Sequence, residues 1–134
     1  MGRDGPDSGG RSVHCLSRTP AEHHGDERYA HAGVNRSRDK LDAFGERFEV
    51  GALYHDYREM LAEIQPDICI IATHPEIHAE MVEGCAAVES TRAIICEKPM
   101  ALSLDECDRM IAACATNDIM LQVNHNPVSY THLT

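Results

Sequence analysis

With 134 residues, 43% of them hydrophobic and 25% charged, the chain has the composition of one globular domain with a modest core, and its 4% aromatic content excludes a stacking platform for single-stranded nucleic acid. The net charge of −10 is carried by residues 49–134, which hold fourteen acidic against four basic side chains, while residues 1–48 balance eight against eight. So acidic a body is a poor binder of polyanions, which excludes nucleic acid and anionic membrane surfaces as partners.

Met1 to Gly10 contains no apolar run, and residues 11–28 have neither a helical nor a strand period. Residues 1–28 are therefore expected to be a disordered or non-native leader, with residues 29–126 forming the domain and 127–134 a tail foreign to it. No apolar segment near the start suits a signal peptide, and the most apolar run, Ile68 to Ala72, is far too short to span a bilayer. Six cysteines (15, 69, 85, 96, 107 and 114) lie mostly within apolar runs and form no C-x-x-C pair. They are expected to be buried thiols in a reducing compartment, which points to the cytoplasm.

From Tyr29 onward the chain alternates. Ala30 to Val34 reads as a short strand with Asn35 at its tip, and residues 37–47 as a helix with Leu41, Phe44 and Phe48 near helical spacing. Val50 to Tyr54 is a second short strand, and Asp56 caps a helix over Tyr57 to Ile64. Ile68 to Ala72 is a continuous apolar strand of the kind buried on both faces of a parallel sheet, with Thr73-His74 at its tip. Pro75 fits a first helical position, and Ile77, Met81, Val82 and Cys85 make the apolar stripe of the next helix. Ala93 to Cys96 is a strand ending in Glu97-Lys98-Pro99, after which Ser103 and Glu106 stand at capping-box spacing. The helix they open, 104–116, is expected to bury Leu104, Cys107, Ile111 and Cys114, and Ile119 to Val123 is the last strand, tipped by Asn124-His125.

Such alternation predicts an α/β fold, a Rossmann-like doubly wound parallel sheet with helices on both faces. The tips Asn35, Thr73-His74, Glu97-Lys98 and Asn124-His125 then share one edge of the sheet, where ligands of this architecture bind. Lys98 is the residue of interest there, because an ammonium held at a strand tip can hydrogen-bond, protonate or deprotonate a substrate oxygen. The other reading of Lys98 is a solvent-facing lysine in a proline turn. His74 and His78 stand four apart beside Glu76 and Glu80, but the order H-x-E-x-H is not the zincin H-E-x-x-H, so no metal is expected.

Between about Ala32 and Asn126 the chain resembles the dinucleotide-binding domain of the Gfo/Idh/MocA oxidoreductases, the glucose–fructose oxidoreductase and inositol dehydrogenase family. The carrying motifs are Ile70 to Pro75 with His78 just inside the helix, Glu97-Lys98-Pro99 with the helix start Ser103 to Glu106, and Val123 to Asn126. The resemblance implies NAD(P)-dependent hydride transfer on a sugar, cyclitol or related polyol, with full-length relatives as homo-oligomers. It makes Lys98 the lysine that contacts nicotinamide and substrate and takes part in proton transfer, with Glu97 and Pro99 holding its turn. It places Thr73, His74, Pro75 and His78 along the cofactor, and Asn124 and His125 beside the substrate. Asn35-Arg36-Ser37-Arg38 stands where the adenosine ribose is read. Asparagine followed by two arginines suits a 2′-phosphate better than a free hydroxyl, so NADP is preferred over NAD.

Two departures accompany the resemblance. No apolar strand runs into a G-x-G-x-x-G, since only Gly9-Gly10-Arg11-Ser12-Val13-His14 is faintly similar, so the first strand and the glycine-rich loop are expected to be missing or scrambled. The family's second domain does not follow either, which suggests a chain truncated or misassembled at both ends and inactive alone. The alternative function is a non-catalytic α/β nucleotide-binding or regulatory module.

Overall fold

The computed structural model describes residues 12–17 and 30–125. Among the described residues, six strands form one sheet: β1 (Ser12–Ser17), β2 (Ala30–Val34), β3 (Ala52–Tyr54), β4 (Ile68–Ala72), β5 (Ala93–Glu97) and β6 (Met120–Asn124), in the spatial order β3-β2-β1-β4-β5-β6. Four helices connect them: α1 (Arg38–Phe48), α2 (Tyr57–Ile64), α3 (His78–Ala86), preceded by a 3₁₀ turn at Pro75–Ile77, and α4 (Leu104–Thr116). The α/β class and the doubly wound sheet hold, and β2 and β4 have the bounds the sequence suggests.

The parallel sheet is corrected in one place. β2–β3, β4–β5 and β5–β6 pair in parallel, but β1 pairs antiparallel with both of its neighbours, Val13 opposite Val34 on one side and Ile71 on the other. Two antiparallel steps restore the direction, so β2 and β4 still run the same way and all five later strands end at one edge. Within the leader expected to be disordered or non-native, residues 12–17 form a strand, and the first strand, expected to be missing or scrambled, is replaced at the centre of the sheet by this reversed one. Gly9, Gly10, Arg11 and the remainder of the expected leader, 1–11 and 18–28, lie outside the described residues, as does the tail 127–134.

Local chemistry sets the helix ends. Ser37 accepts from the Lys40 amide to cap α1, Asp56 from the Arg58 amide to cap α2, and Ser103 from the Glu106 amide to cap α4. The Glu106 carboxylate reaches back to the Leu102 amide at 3.0 Å, one residue outside the usual box. Gln65 ends α2 in a left-handed conformation at φ 51°.

The main core lies on one face of the sheet, where Cys69, Ile71, Ile94 and Cys96 meet Met60 and Leu61 of α2, Val82 and Cys85 of α3, and Met110 and Cys114 of α4. α1 covers the other face, with the Phe44 ring so close to Gly33 that a Cβ there would stand 2.5 Å from it. Among the described residues, that second face is thinly covered beyond α1. Ile68, Ile70 and Ala72 are half-buried rather than enclosed, and Met120 on the edge strand is 64% exposed. The stripe of α4 is also corrected: Met110 and Cys114 are buried and Cys107 half-buried, while Leu104 is 82% and Ile111 53% exposed. At roughly 100° per residue, Leu104 and Ile111 lie about 65–90° from the line through Cys107, Met110 and Cys114. Among the described residues, no helix is long and apolar enough to cross a membrane.

Candidate functional site

The ends of β2, β3, β4, β5 and β6 bring Asn35, His55, Thr73, Glu97-Lys98 and Asn124-His125 to one edge of the sheet. A cavity of about 280 Å³ opens there between the tips of β2, β3 and β4, and Asn35, Arg36 and Thr73 line it with His55, Tyr57 and Glu80. Asn35 is buried and committed inward. Its side-chain oxygen accepts from the Ser37 amide at 2.8 Å, and its carbonyl accepts from His55 Nδ1 at 3.0 Å. Ser37 and Arg38 stand apart from this cavity's chemistry. Ser37 caps α1, and Arg38 lies 3.9 Å from Asp42 along the exposed side of that helix.

The wall formed by α2 and α3 is a charged lock. Arg58 donates to Glu80 Oε1 at 2.6 Å and stacks on the Tyr57 ring at 4.9 Å, and the Tyr57 hydroxyl donates to the same carboxylate oxygen at 3.2 Å. Burial and then the Glu80 carboxylate raise the Tyr57 phenol above its usual range, which keeps it a donor. Arg58 is thus neutralised within the wall, whereas Arg36 is an exposed guanidinium at the cavity's rim. His55, Tyr57, Arg58 and Glu80 were not anticipated from the sequence. Applying the strand-tip rule to the strand ending at Tyr54 would have found His55, since the tip of β3 shares the edge with the others.

Two strands beyond the cavity, Asn124 Nδ2 donates to Glu97 Oε1 at 2.8 Å, across the register that sets these two residues side by side. Lys98 comes next, exposed, and its bond to Pro99 is cis. His74 and His125 stand at the tips of β4 and β6, and Pro75 opens the 3₁₀ turn. His78 behaves differently from the cofactor-lining residue expected of it. It is fully enclosed, and both its ring nitrogens lie against main-chain carbonyls. Among the described residues, no three His, Cys, Asp or Glu side chains converge to hold a metal. The structure therefore gathers Asn35, Arg36 and Thr73 at one cavity and Glu97, Lys98 and Asn124 at a second cluster on the same edge, and it leaves Ser37, Arg38 and His78 in supporting places.

The model of the Gfo/Idh/MocA oxidoreductase family, NAD-binding Rossmann fold, matches residues 17–125. D-Apiose dehydrogenase from Paraburkholderia graminis is 38% identical over 88 residues, which are 66% of this chain and 23% of that protein. Myo-inositol 2-dehydrogenase from Thermotoga maritima is 30% identical over 66% of this chain and 26% of its own length. A solved oxidoreductase from Agrobacterium radiobacter, in complex with NAD+, L-tartaric acid and magnesium, superposes with a TM-score of 0.64 at 32% identity, over 68% of this chain and 26% of that one. The chain spans about a quarter of the length of these relatives. It belongs to the Gfo/Idh/MocA oxidoreductase family and carries that family's NAD-binding Rossmann fold.

Proposed function

We propose that this chain is the cofactor-binding part of an NAD(P)-dependent dehydrogenase that acts on a CH–OH group of a sugar, cyclitol or related polyol. The observation that carries the reading is the shared edge: a nucleoside-sized cavity at the tips of β2, β3 and β4, and an exposed lysine at the tip of β5. Three strand spacings, roughly 14 Å, separate the strand of Asn35 from that of Lys98. The two ends of a dinucleotide fit the residues present. Arg36, His55 and Thr73 would hold the adenosine end, and the Glu97–Asn124 pair and the Lys98 turn would flank the nicotinamide end. The bound cofactor supplies the hydride acceptor. Lys98 orients the substrate hydroxyl and exchanges a proton with its oxygen.

The phosphate selectivity follows from Asn35. A carboxylate at this tip would accept a ribose 2′-hydroxyl, but here the side chain is an amide whose oxygen is already used by Ser37. Arg36 beside it supplies positive charge for a 2′-phosphate, which favours NADP over NAD. Cys69, Cys85, Cys96 and Cys114, all buried and none of them in a disulfide, suit a reducing compartment and hence the cytoplasm.

The test is thermal unfolding of the chain with NADPH and NADH. A ligand at a hundred times its Kd stabilises the native state by about 2.7 kcal/mol. The expected result is a rise in Tm with both, larger for NADPH at equal concentration. No rise with either at millimolar concentration would sink the dehydrogenase reading and leave a non-catalytic α/β module.

A further inference from the structure

His78 sits at the first position of α3, enclosed on all sides, so its ring must find its partners within the protein. Nε2 lies 3.0 Å from the carbonyl oxygen of Thr73, at the tip of β4. Nδ1 lies 3.0 Å from the carbonyl oxygen of Pro99 and 3.1 Å from that of Met100, in the turn after β5. Carbonyl oxygens only accept, so each nitrogen that carries a proton donates it to one of the two turns. The Cys96 thiol is 3.3 Å from Nδ1 and can donate to that nitrogen when it is unprotonated. Burial and then the Glu97 carboxylate push this thiol up to about 12, so it keeps its proton. A ring with a proton on each nitrogen donates to both turns and bridges two loops that lie 26 residues apart in sequence, whereas a ring with one proton donates to only one of them; Lys98 stands in the second loop.

We propose that His78 is a positioning residue: its ring, with an N–H at each nitrogen, pins the Thr73 tip of β4 to the Pro99–Met100 turn, and so fixes where the Lys98 ammonium stands. The pinning rests on the hydrogen-bond geometry, and its value for catalysis rests on the dehydrogenase reading above. A ring that merely filled space on the apolar side of α3 would be replaced without loss by phenylalanine, which has no nitrogen to offer either turn.

The experiment is amide hydrogen exchange on the ¹⁵N-labelled chain, with no ligand added. His78→Phe removes both nitrogens at similar size, and His78→Gln restores a side-chain amide able to donate to a carbonyl. In His78→Phe the amides at residues 73–74 and 97–102 are expected to exchange at least about tenfold faster, while those of α4 and β6 change by less than about twofold. His78→Gln is expected to recover part of that protection. Unchanged exchange at both turns in His78→Phe would overturn the proposal. Acceleration spread evenly through α4 and β6 in both variants would also overturn it, by making His78 a general packing residue. Adding NADPH to the same samples separates this result from the functional reading. If the wild-type chain binds no nucleotide while His78→Phe shows the local loosening, only the functional reading fails.

Discussion

A lysine ammonium at the end of β5 gains its chemical interest from where the strand stops. Lys98 is exposed, on the same edge as the cavity and next to the Glu97–Asn124 hydrogen bond, so its flexible stem starts from a braced turn. In a full-length relative that carries this stretch, Lys98→Ala is expected to lower kcat by about 10²–10⁴-fold, the usual worth of a general acid–base group, while the cofactor Kd stays within about threefold. Steady-state kinetics alongside a direct cofactor titration would measure both, and near-normal turnover would remove Lys98 from the mechanism. Lys98 was legible in the sequence because an apolar run followed by a charged pair and a proline marks a strand tip. The role of His78 was not. The spacing shows a polar residue opening a helix, but its partners are carbonyls of residues 73, 99 and 100, which only the tertiary approach of two turns brings to the ring. Asn35 was legible as a tip residue, whereas its inward commitment to Ser37 is a matter of side-chain direction that spacing does not encode.

Among the elements, α4 shows where pattern reading succeeds and where it slips. Its start was written in Ser103 and Glu106, and its end in Asn117. Its buried line was misplaced because apolar residues occupy both Met110 and Ile111, and a stripe drawn through Leu104 and Ile111 is as periodic as one through Cys107 and Met110. The structure selects the latter, since Met110 is fully enclosed against the main core. Deleting a buried methionine side chain leaves a cavity, so Met110→Ala is expected to destabilise the domain by about 2–5 kcal/mol. Leu104→Ala removes a similar amount of apolar material from a position that is 82% exposed, and its effect should stay within about 0.5 kcal/mol. Urea denaturation of the two variants decides the orientation of the helix; equal losses, or a larger loss for Leu104→Ala, would mean that α4 is rotated from its place here.

For the whole molecule, the decisive feature is the direction of β1. In a sheet whose first strand runs parallel to its neighbours, the chain leaves that strand at the ligand edge, and a helix N-terminus can meet the pyrophosphate there. Here β1 meets that edge with Ser12, paired to Ala72, and leaves at the opposite edge by Ser17. The sequence indicated the loss of the glycine-rich turn, because no G-x-G-x-x-G follows an apolar strand. It could not indicate a reversed strand in the vacant centre, since Ser12 to Ser17 has too little alternation to announce a strand, and direction of pairing leaves no periodic trace. The consequence concerns where binding energy arises. Hydrogen bonds to charged groups contribute about 1.5–3 kcal/mol each, so a built pyrophosphate cradle with two or more of them would make a dinucleotide bind more than about a hundredfold tighter than its adenosine half. With β1 reversed, affinity should come mainly from the cavity at Arg36 and His55, which on the proposed reading takes only the adenosine end. NADPH and adenosine 2′,5′-bisphosphate are therefore expected to bind this chain with Kd values within about tenfold of each other, as measured by isothermal titration calorimetry. An NADPH Kd more than about a hundredfold lower would show that a phosphate cradle exists at the centre of the edge, and the reversed strand could not then be the form that binds cofactor.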